Sequence, residues 1–387
     1  MIEALCVISL LILIYTYVGY PAAIWILAHM APRAIARRAC EPTIAVIIVV
    51  SNEASRIGRK LDNCLALDYP KEKLRLVVAS DGSGDETNEI ITAYADRRVT
   101  LLSFATRRGK AACLNDAMAN CDEDVIVLMD ARQRIDLTAI RHLAENFADP
   151  SIGAVSGELM FEPTGMTDFG EGVDAYWRYE KFIRKSESTF HSMVGVTGAL
   201  YGIRRELFRE IPSNTILDDV LIPLQVVMRG RRVVFDGRAK AYDLPSRDHK
   251  QEKVRKIRTI AGNYQLLRMH PSLLLPIRNP IWVQLVSHKV LRLVAPLFML
   301  TLLCTSAMLA SSSMLYRLLL GAQLFAYALP GLPFLWIPAR KWKIVKLSRA
   351  FLTLNWFAAQ GAVEYFRNHN AHLWASNETQ PPETLHP

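Results

Sequence analysis

The side chains in this sequence best suited to chemistry stand where apolar runs end. Val125 to Met129 is such a run and closes on Asp130. The same arrangement puts Ser51-Asn52-Glu53 after the run Thr43–Val50, and Ser80-Asp81-Gly82 at the end of the run that begins at Leu74. Three polar run-ends are more than turn punctuation requires. A carboxylate at such a point can hold a divalent metal on a nucleotide phosphate, but a second acid is then expected two residues later, and that position is Arg132. Farther along, Asp218 and Asp219 stand side by side before an apolar stretch. One acid would serve as a helix N-cap, and two are more than a cap needs. Gly195 and Gly198 stud the segment "MVGVTGALYGIRRELF", where small residues let a ligand approach the backbone. A basic segment, "EKVRKIRTIAGNYQLLRM", carries Arg255 and Arg258 just before the longest apolar stretches of the C-terminal half.

These residues need a frame. "TIAVIIVV" (Thr43–Val50) is a continuous β-branched run, the mark of a strand buried on both faces. It is followed by a helical stretch to Leu67, a strand Leu74–Ser80, and a turn "DGSGDET" that caps a helix to about Tyr94. Then come strand "VTLLSF", helix "KAACLNDAMANC", strand "VIVLMD", helix Thr138–Phe147 and strand "IGAVSGEL". This alternation predicts an α/β fold: a mostly parallel sheet with helices on both faces and a ligand crevice at the C-terminal strand ends. Beyond residue 160 the pattern predicts a helix over 168–190, a glycine-studded strand entering a helix over 193–208, a helix after Asp218-Asp219 and the basic helix. No GxGxxG follows the first strand and no GxxxxGK[ST] occurs, so dinucleotide and P-loop readings are poor.

The chain has 387 residues, is 51% hydrophobic and carries a net charge of +9. The apolar excess is local, in uncharged runs Ala4–Ala28, Leu293–Leu315 and Leu318–Ala339. Each is long enough for a hydrocarbon core of ~30 Å, which takes ~20 helical residues. Glu3 and the lack of Lys or Arg ahead of the first run argue against a cleaved signal peptide. Arg33, Arg37 and Arg38 follow that run and place its C-terminal end in the cytoplasm by the positive-inside rule. Gly19-Tyr20-Pro21 is an expected kink. A fourth segment, Ile344–Phe366, is interrupted by Lys346, Arg349 and Glu364 and either spans or lies in the interface. The organisation read from the sequence is therefore a transmembrane helix over 1–30, a cytoplasmic domain over 40–270, interfacial and transmembrane helices over 271–366, and a disordered tail over 367–387. The basic charge fits anionic lipid, and no basic run interleaved with aromatics suggests nucleic acid. Six scattered cysteines show no CxxC and suit a reducing compartment. The spans read as free of ionisable residues and of repeats, which argues against a transporter.

Taken in order and spacing over residues 40–270, these segments resemble the membrane-embedded family 2 glycosyltransferases with a GT-A fold, the group of hyaluronan, cellulose and poly-N-acetylglucosamine synthases. The resemblance implies that Asn52 and Glu53 lie against the nucleotide base or ribose, that Asp81 contacts uracil or ribose, and that Lys110 in "RRGKAACLNDAM" contacts base or phosphate. "MDARQ" falls where the family has Asp-x-Asp, so Asp130 becomes the metal or diphosphate residue. Arg132 then either lends charge to the phosphates or turns away to pair with an acid on the surface. Gly198 lies in the acceptor-side segment. "LDDVLIP" resembles the family's Glu-Asp motif, making Asp219 the general base with Asp218 beside it, and "RKIRT" supplies Arg258, with Arg255 near, for the leaving diphosphate. Ser80 stands where a second acid is usual and Thr259 where a tryptophan is usual.

The implied activity is inverting transfer of a sugar from a nucleotide-sugar donor, a UDP-sugar above all, to a glycan or lipid-linked acceptor, with Mg or Mn as cofactor, in exopolysaccharide or cell-surface polysaccharide synthesis. Two alternatives stay open: a single-sugar transferase to a polyprenyl phosphate or lipid, and a catalytically weak nucleotide-sugar binder regulating a partner synthase. The expected setting is the inner or plasma membrane, multi-pass, with the catalytic domain cytoplasmic, membrane lipid as a partner, a homo-oligomer or export partner as a further one, and no nucleic acid.

Overall fold

The computed structural model describes residues 1–161, 168–244 and 249–367; the expected disordered tail over 367–387 lies, apart from its first residue, outside them. Among the described residues, eight strands form one sheet: β1 (Ile44–Val50), β2 (Leu74–Asp81), β3 (Val99–Phe104), β4 (Val125–Leu128), β5 (Arg134–Ile135), β6 (Ile152–Phe161), β7 (Tyr201–Arg204) and β8 (Arg232–Asp243), in the order β3-β2-β1-β4-β7-β6-β8-β5. The β3-β2-β1-β4 half is parallel throughout, while β7 runs antiparallel to both β4 and β6, and β8 returns parallel to β6. Every residue of β1 is buried, and its alternating side chains feed two cores. Ala45, Ile47 and Val49 enter one, and Ile44, Val46, Ile48 and Val50 the other. A sheet covered on both faces selects an unbroken apolar strand of this kind.

The structure corrects the sequence reading beyond residue 160. Residues 193–200 are not strand. The strand is only Tyr201–Arg204, and it runs into a single 3₁₀ turn, Arg205–Leu207, instead of a helix. The twelve-residue β8 and the short β5 were not foreseen, because β8 alternates buried and half-exposed positions and carries Arg, Lys and Asp among its apolar residues. The basic helix is His249–Met269.

Among the described residues, three helices are long and apolar enough to cross a membrane: Ile2–Met30, Trp282–Leu309 and Met314–Leu335. The second starts eleven residues earlier than the apolar run suggests, and so takes in His288, Lys289 and Arg292. The expectation that the spans lack ionisable residues is therefore overturned, because helix geometry continues through a charged turn that composition alone marks as a boundary. The helix Lys343–Arg367 is not among the three.

Two of these helices are tied to the sheet domain through backbone carbonyls. A proline inside a helix has no N–H for the carbonyl four residues back. Pro21 thus frees the Tyr17 carbonyl, in a stretch wound as a π-helix over Tyr15–Gly19, and that carbonyl accepts the Tyr179 hydroxyl at 2.8 Å. In the second span, the Leu293 carbonyl accepts the Tyr264 hydroxyl at 3.0 Å. Buried carbonyls need a donor, and here the donors come from the helices Asp168–Phe190 and His249–Met269.

Candidate active site

The crevice opens at the C-terminal ends of β1, β2 and β4. The loop after β1 is latched to the loop after β2 by its own polar atoms. Ser51 Oγ donates to the Asp81 carbonyl (3.0 Å), the Asn52 amide donates to Ser83 Oγ (3.1 Å), Asn52 Oδ1 accepts the Gly84 amide (2.9 Å), and the Glu53 amide donates to Thr87 Oγ1 (2.9 Å). Asn52 holds φ 55°, a left-handed conformation that asparagine tolerates better than most residues. Glu53 pairs with Arg56 at 3.1 Å; burial raises its pKa, and Arg56 and Arg132 oppose the rise.

Asp81 is buried, and its two carboxylate oxygens accept the backbone N–H groups of Arg108 (2.6 Å) and Gly109 (3.0 Å). Its visible work is to hold the turn that launches the helix Lys110–Ala119. Gly109 sits in that turn at φ 90°, which a side chain would strain. The turn aims Lys110 into the crevice. The Lys110 ammonium donates to Asp130 Oδ1 at 3.1 Å and lies 3.1 Å from Asp218 Oδ2. Burial alone would lower its pKa, but Asp130, Asp218 and Asp219 outweigh that and keep it charged.

Asp218 and Asp219 form the first turn of the helix Asp218–Met228; the cap position is Leu217, so neither acid is the cap. Pro223 within this helix leaves the Asp219 carbonyl without its intrahelical donor, and the Val196 amide donates to it at 3.0 Å. The 191–200 loop is thereby pinned to the acid pair. Gly198 closes the arrangement: a Cβ there would stand 3.6 Å from Asp219 Oδ2 and 3.8 Å from Asp130 Oδ2, so both carboxylates come to contact distance of this one backbone position. Burial raises the Asp219 pKa first and the Asp218 charge adds to it, against Lys110, Lys289 and Arg184, and the acid is pushed up to about 6. Arg258 feels the same three carboxylates. Burial lowers its pKa, and Asp218, Asp130 and Asp219 oppose the shift. Arg255, one turn earlier, is exposed.

Two glycines bring Arg258 there. A Cβ on Gly262 would come within 2.6 Å of Leu217, immediately before the acid pair. A Cβ on Gly361 of the Lys343–Arg367 helix would come within 2.3 Å of Ile260. The arginine helix is thus clamped between the acid turn and a C-terminal helix.

Arg132 resolves the question left at Asp130. Its guanidinium turns away and pairs with Asp243, the buried last residue of β8, which also accepts Gln133 Nε2 at 3.0 Å. Sequence reasoning missed Asp243, and it missed Lys60, whose buried ammonium donates to the Gln133 carbonyl at 2.8 Å and steadies the same loop. It also missed Tyr201, 1% exposed, whose hydroxyl has no hydrogen-bond partner among the described residues and whose pKa is raised by burial and then by Asp218, Asp219 and Asp130. Nothing in a tyrosine's sequence neighbours signals such a position.

A divalent ion suits these residues. The donors are hard carboxylate oxygens, with Asp130 at 43% side-chain exposure facing the opening and Asp218 at 8% behind it. Among the described residues no group of three or more His, Cys, Asp or Glu surrounds one point. The set therefore fits an ion that takes most of its ligands from a diphosphate and water.

Residues 45–212 match the family described as Glycosyl transferase family 2. The poly-beta-1,6-N-acetyl-D-glucosamine synthase of Staphylococcus aureus is 24% identical over 206 residues, 52% of this chain and 50% of that protein. The beta-monoglucosyldiacylglycerol synthase of Synechocystis sp. is 24% identical over 152 residues, 37% of this chain and 32% of that protein. The chain thus spans half or less of the length of these curated relatives. Among solved structures, a mannosyltransferase from Pyrobaculum calidifontis in complex with GDP-Man and Mn2+ superposes with a TM-score of 0.71 at 23% identity, covering 95% of this chain and 99% of that one. The fold is GT-A.

Proposed function

We propose that this chain, which carries a glycosyl transferase family 2 domain over residues 45–212, transfers one sugar with inversion from a nucleoside-diphosphate sugar to a hydroxyl of a lipid-linked or glycan acceptor at a membrane surface. The observation that carries the reading is the meeting of Asp130, Lys110, Asp218, Asp219 and Gly198 around one opening at the strand ends, with Arg258 within their field. In the reaction the acceptor oxygen attacks the anomeric carbon. The new C–O bond forms as the bond to the diphosphate breaks, and the electron pair leaves with the nucleoside diphosphate. The acceptor proton passes to Asp219, a carboxylate whose raised pKa suits a general base near neutral pH. Lys110 and Arg258 meet the negative charge that grows on the diphosphate, and both are already oriented before it appears. One displacement with one base gives inversion. Bound Mg or Mn, held by Asp130, would supply further charge neutralisation on the diphosphate.

Single addition to a lipid-linked acceptor is favoured over polymer synthesis by a local feature: Thr259 is exposed and has no ring to stack on a pyranose. The two named relatives differ on this point, one being a polymer synthase and the other acting on a diacylglycerol lipid by name. The cytoplasmic placement of the domain rests on Arg33, Arg37 and Arg38 after the first span. Purified full-length chain incubated with labelled UDP- and GDP-sugars and a membrane lipid extract tests the reading by mass spectrometry. One added hexose on a lipid supports it, a ladder of additions supports a polymerase, and no donor consumption with Mg or Mn present overturns both.

A further inference from the structure

Between Ser287 and Leu293 the second span makes polar contacts with three other helices. Ser287 Oγ lies 2.8 Å from the Tyr15 hydroxyl of the first span. His288 is 1% exposed and sits between two carboxylates of the helix Asp168–Phe190. Its Nε2 is 2.8 Å from Glu180 Oε1 and its Nδ1 is 2.9 Å from Glu187 Oε1. Arg292 Nη1 donates to Glu180 Oε2 at 2.8 Å, and the Tyr20 hydroxyl of the first span donates to Glu187 Oε1 at 2.6 Å. One residue after Arg292, the Leu293 carbonyl accepts the Tyr264 hydroxyl of the helix His249–Met269, which carries Arg258. Both spans are wound as π-helix where they meet, over Tyr15–Gly19 and Val286–Val290, an irregularity that recurs at functional sites.

The arrangement holds in one register only. Glu180 and Glu187 lie on one face of their helix, at i and i+7, and both are buried. Ionised carboxylates only accept, so the partners assign an N–H to each ring nitrogen of His288. Sliding or turning the second span would leave the two buried carboxylates without these donors, which is costly in protein and membrane alike. The clamp therefore fixes the height and rotation of the second span against the helix Asp168–Phe190. The arginine helix is bonded to that span through Tyr264. On its other side Gln265 bonds to the segment before the acid pair, accepting the Ile216 amide at 2.9 Å and donating to the Asn214 carbonyl at 2.7 Å. Arg258 thus stands on a helix strung between the clamped span and the acid segment.

We propose that His288 is a positioning residue for the transfer: clamped between Glu180 and Glu187, it sets the register of the second span and, through Leu293 and Tyr264, the placement of Arg258 beside the acid pair. This rests on the part given to Arg258 in the reaction above.

The test uses full-length chain in detergent. His288→Gln keeps a polar side chain of similar size but turns an oxygen toward one of the two carboxylates. It is expected to lower kcat about tenfold with UDP or GDP affinity within about twofold of the parent. Adding Glu187→Gln gives that oxygen an amide donor again, and the double variant is expected to recover kcat to within about threefold of the parent. Tyr264→Phe cuts the next link. It is expected to show the same split between turnover and affinity, without adding to the effect of His288→Gln. A parental kcat in His288→Gln, a double variant no better than the single one, or full additivity with Tyr264→Phe overturns the proposal. Should the His288 variants fail to fold, Tyr264→Phe decides, and a parental kcat in it overturns the proposal. Hydrogen exchange needs no turnover: His288→Gln is expected to speed exchange in the helix His249–Met269 at least about threefold while β1, β2 and β4 stay as in the parent. Equal exchange in that helix overturns the proposal. A parent that consumes no donor breaks the transfer reading and leaves the exchange comparison legible.

Discussion

The two sides of the crevice are held by different means. On the strand-end side, Ser51–Glu53, Ser80–Gly82 and Arg108–Lys110 are fixed by hydrogen bonds between neighbouring loops of one parallel sheet: Asn52 to Ser83 and Gly84, Glu53 to Thr87, and Asp81 to Arg108 and Gly109. On the opposite side, Asp219 and Arg258 stand on helices beyond the matched segment and take their places through Pro223 and through Gly262 and Gly361. The first side is self-contained and the second is assembled. The strand-end side should therefore govern donor affinity and tolerate changes in the membrane helices. The assembled side should govern turnover and be sensitive to them.

The strongest break in that comparison is Asp219→Asn. Loss of a general base is expected to lower turnover on the order of 10³-fold with UDP or GDP affinity retained, read by steady-state rates beside nucleotide titration. Near-normal turnover would remove Asp219 from its role. Arg258→Ala comes next, at about 10²-fold in turnover, because one positioned cation is withdrawn from the developing charge; an unchanged rate would remove Arg258 from the site. A matched pair sharpens the contrast further. Gly361→Leu, pressing a side chain into Ile260, is expected to cut turnover about tenfold at constant nucleotide affinity, since displacing a positioned group costs rate before binding. Asp81→Asn, on the other side, is expected to weaken nucleotide binding by a similar about tenfold, since it loosens the turn that aims Lys110. If the two variants exchange phenotypes, the division into sides is wrong.

The smallest effect is in pH dependence. Asp219 acts as a base only when ionised, so kcat/KM is expected to fall as pH drops through about 6 and to level off above it. Burial is the larger cause of that raised value and the Asp218 charge the smaller. Asp218→Asn should therefore move the acid limb downward by removing a like charge, while leaving the limb above the ordinary carboxylate range. An acid limb that does not move shows that Asp218 acts elsewhere, through its contact with Lys110.

Much of this was legible in the sequence, and the exceptions share a cause. A continuous β-branched run announced β1, and shorter apolar runs announced β2 and β4, because a strand covered on both faces needs apolar side chains on both; the polar residues that close those strands fell at the crevice. The acid pair at 218–219 could be picked out because a cap needs one acid. By contrast β8 stayed hidden: it lies between two strands of opposite direction and carries Arg232, Asp236, Arg238, Lys240 and Asp243 among its apolar residues. Its last residue, Asp243, pairs with Arg132 across 111 positions of chain, and no local pattern reports a partner at that distance. The Tyr201 hydroxyl, the Lys60 ammonium and the cluster of His288, Lys289 and Arg292 with Glu180 and Glu187 are likewise products of long-range packing. The sequence by itself determined which strands are buried, where the reactive carboxylates stand and which helices are apolar enough for a membrane, since periodicity and composition act over a few residues. Only the tertiary structure decided which charges face one another, because the field at Asp219 is summed over groups that the chain brings together from residue 110 to residue 289.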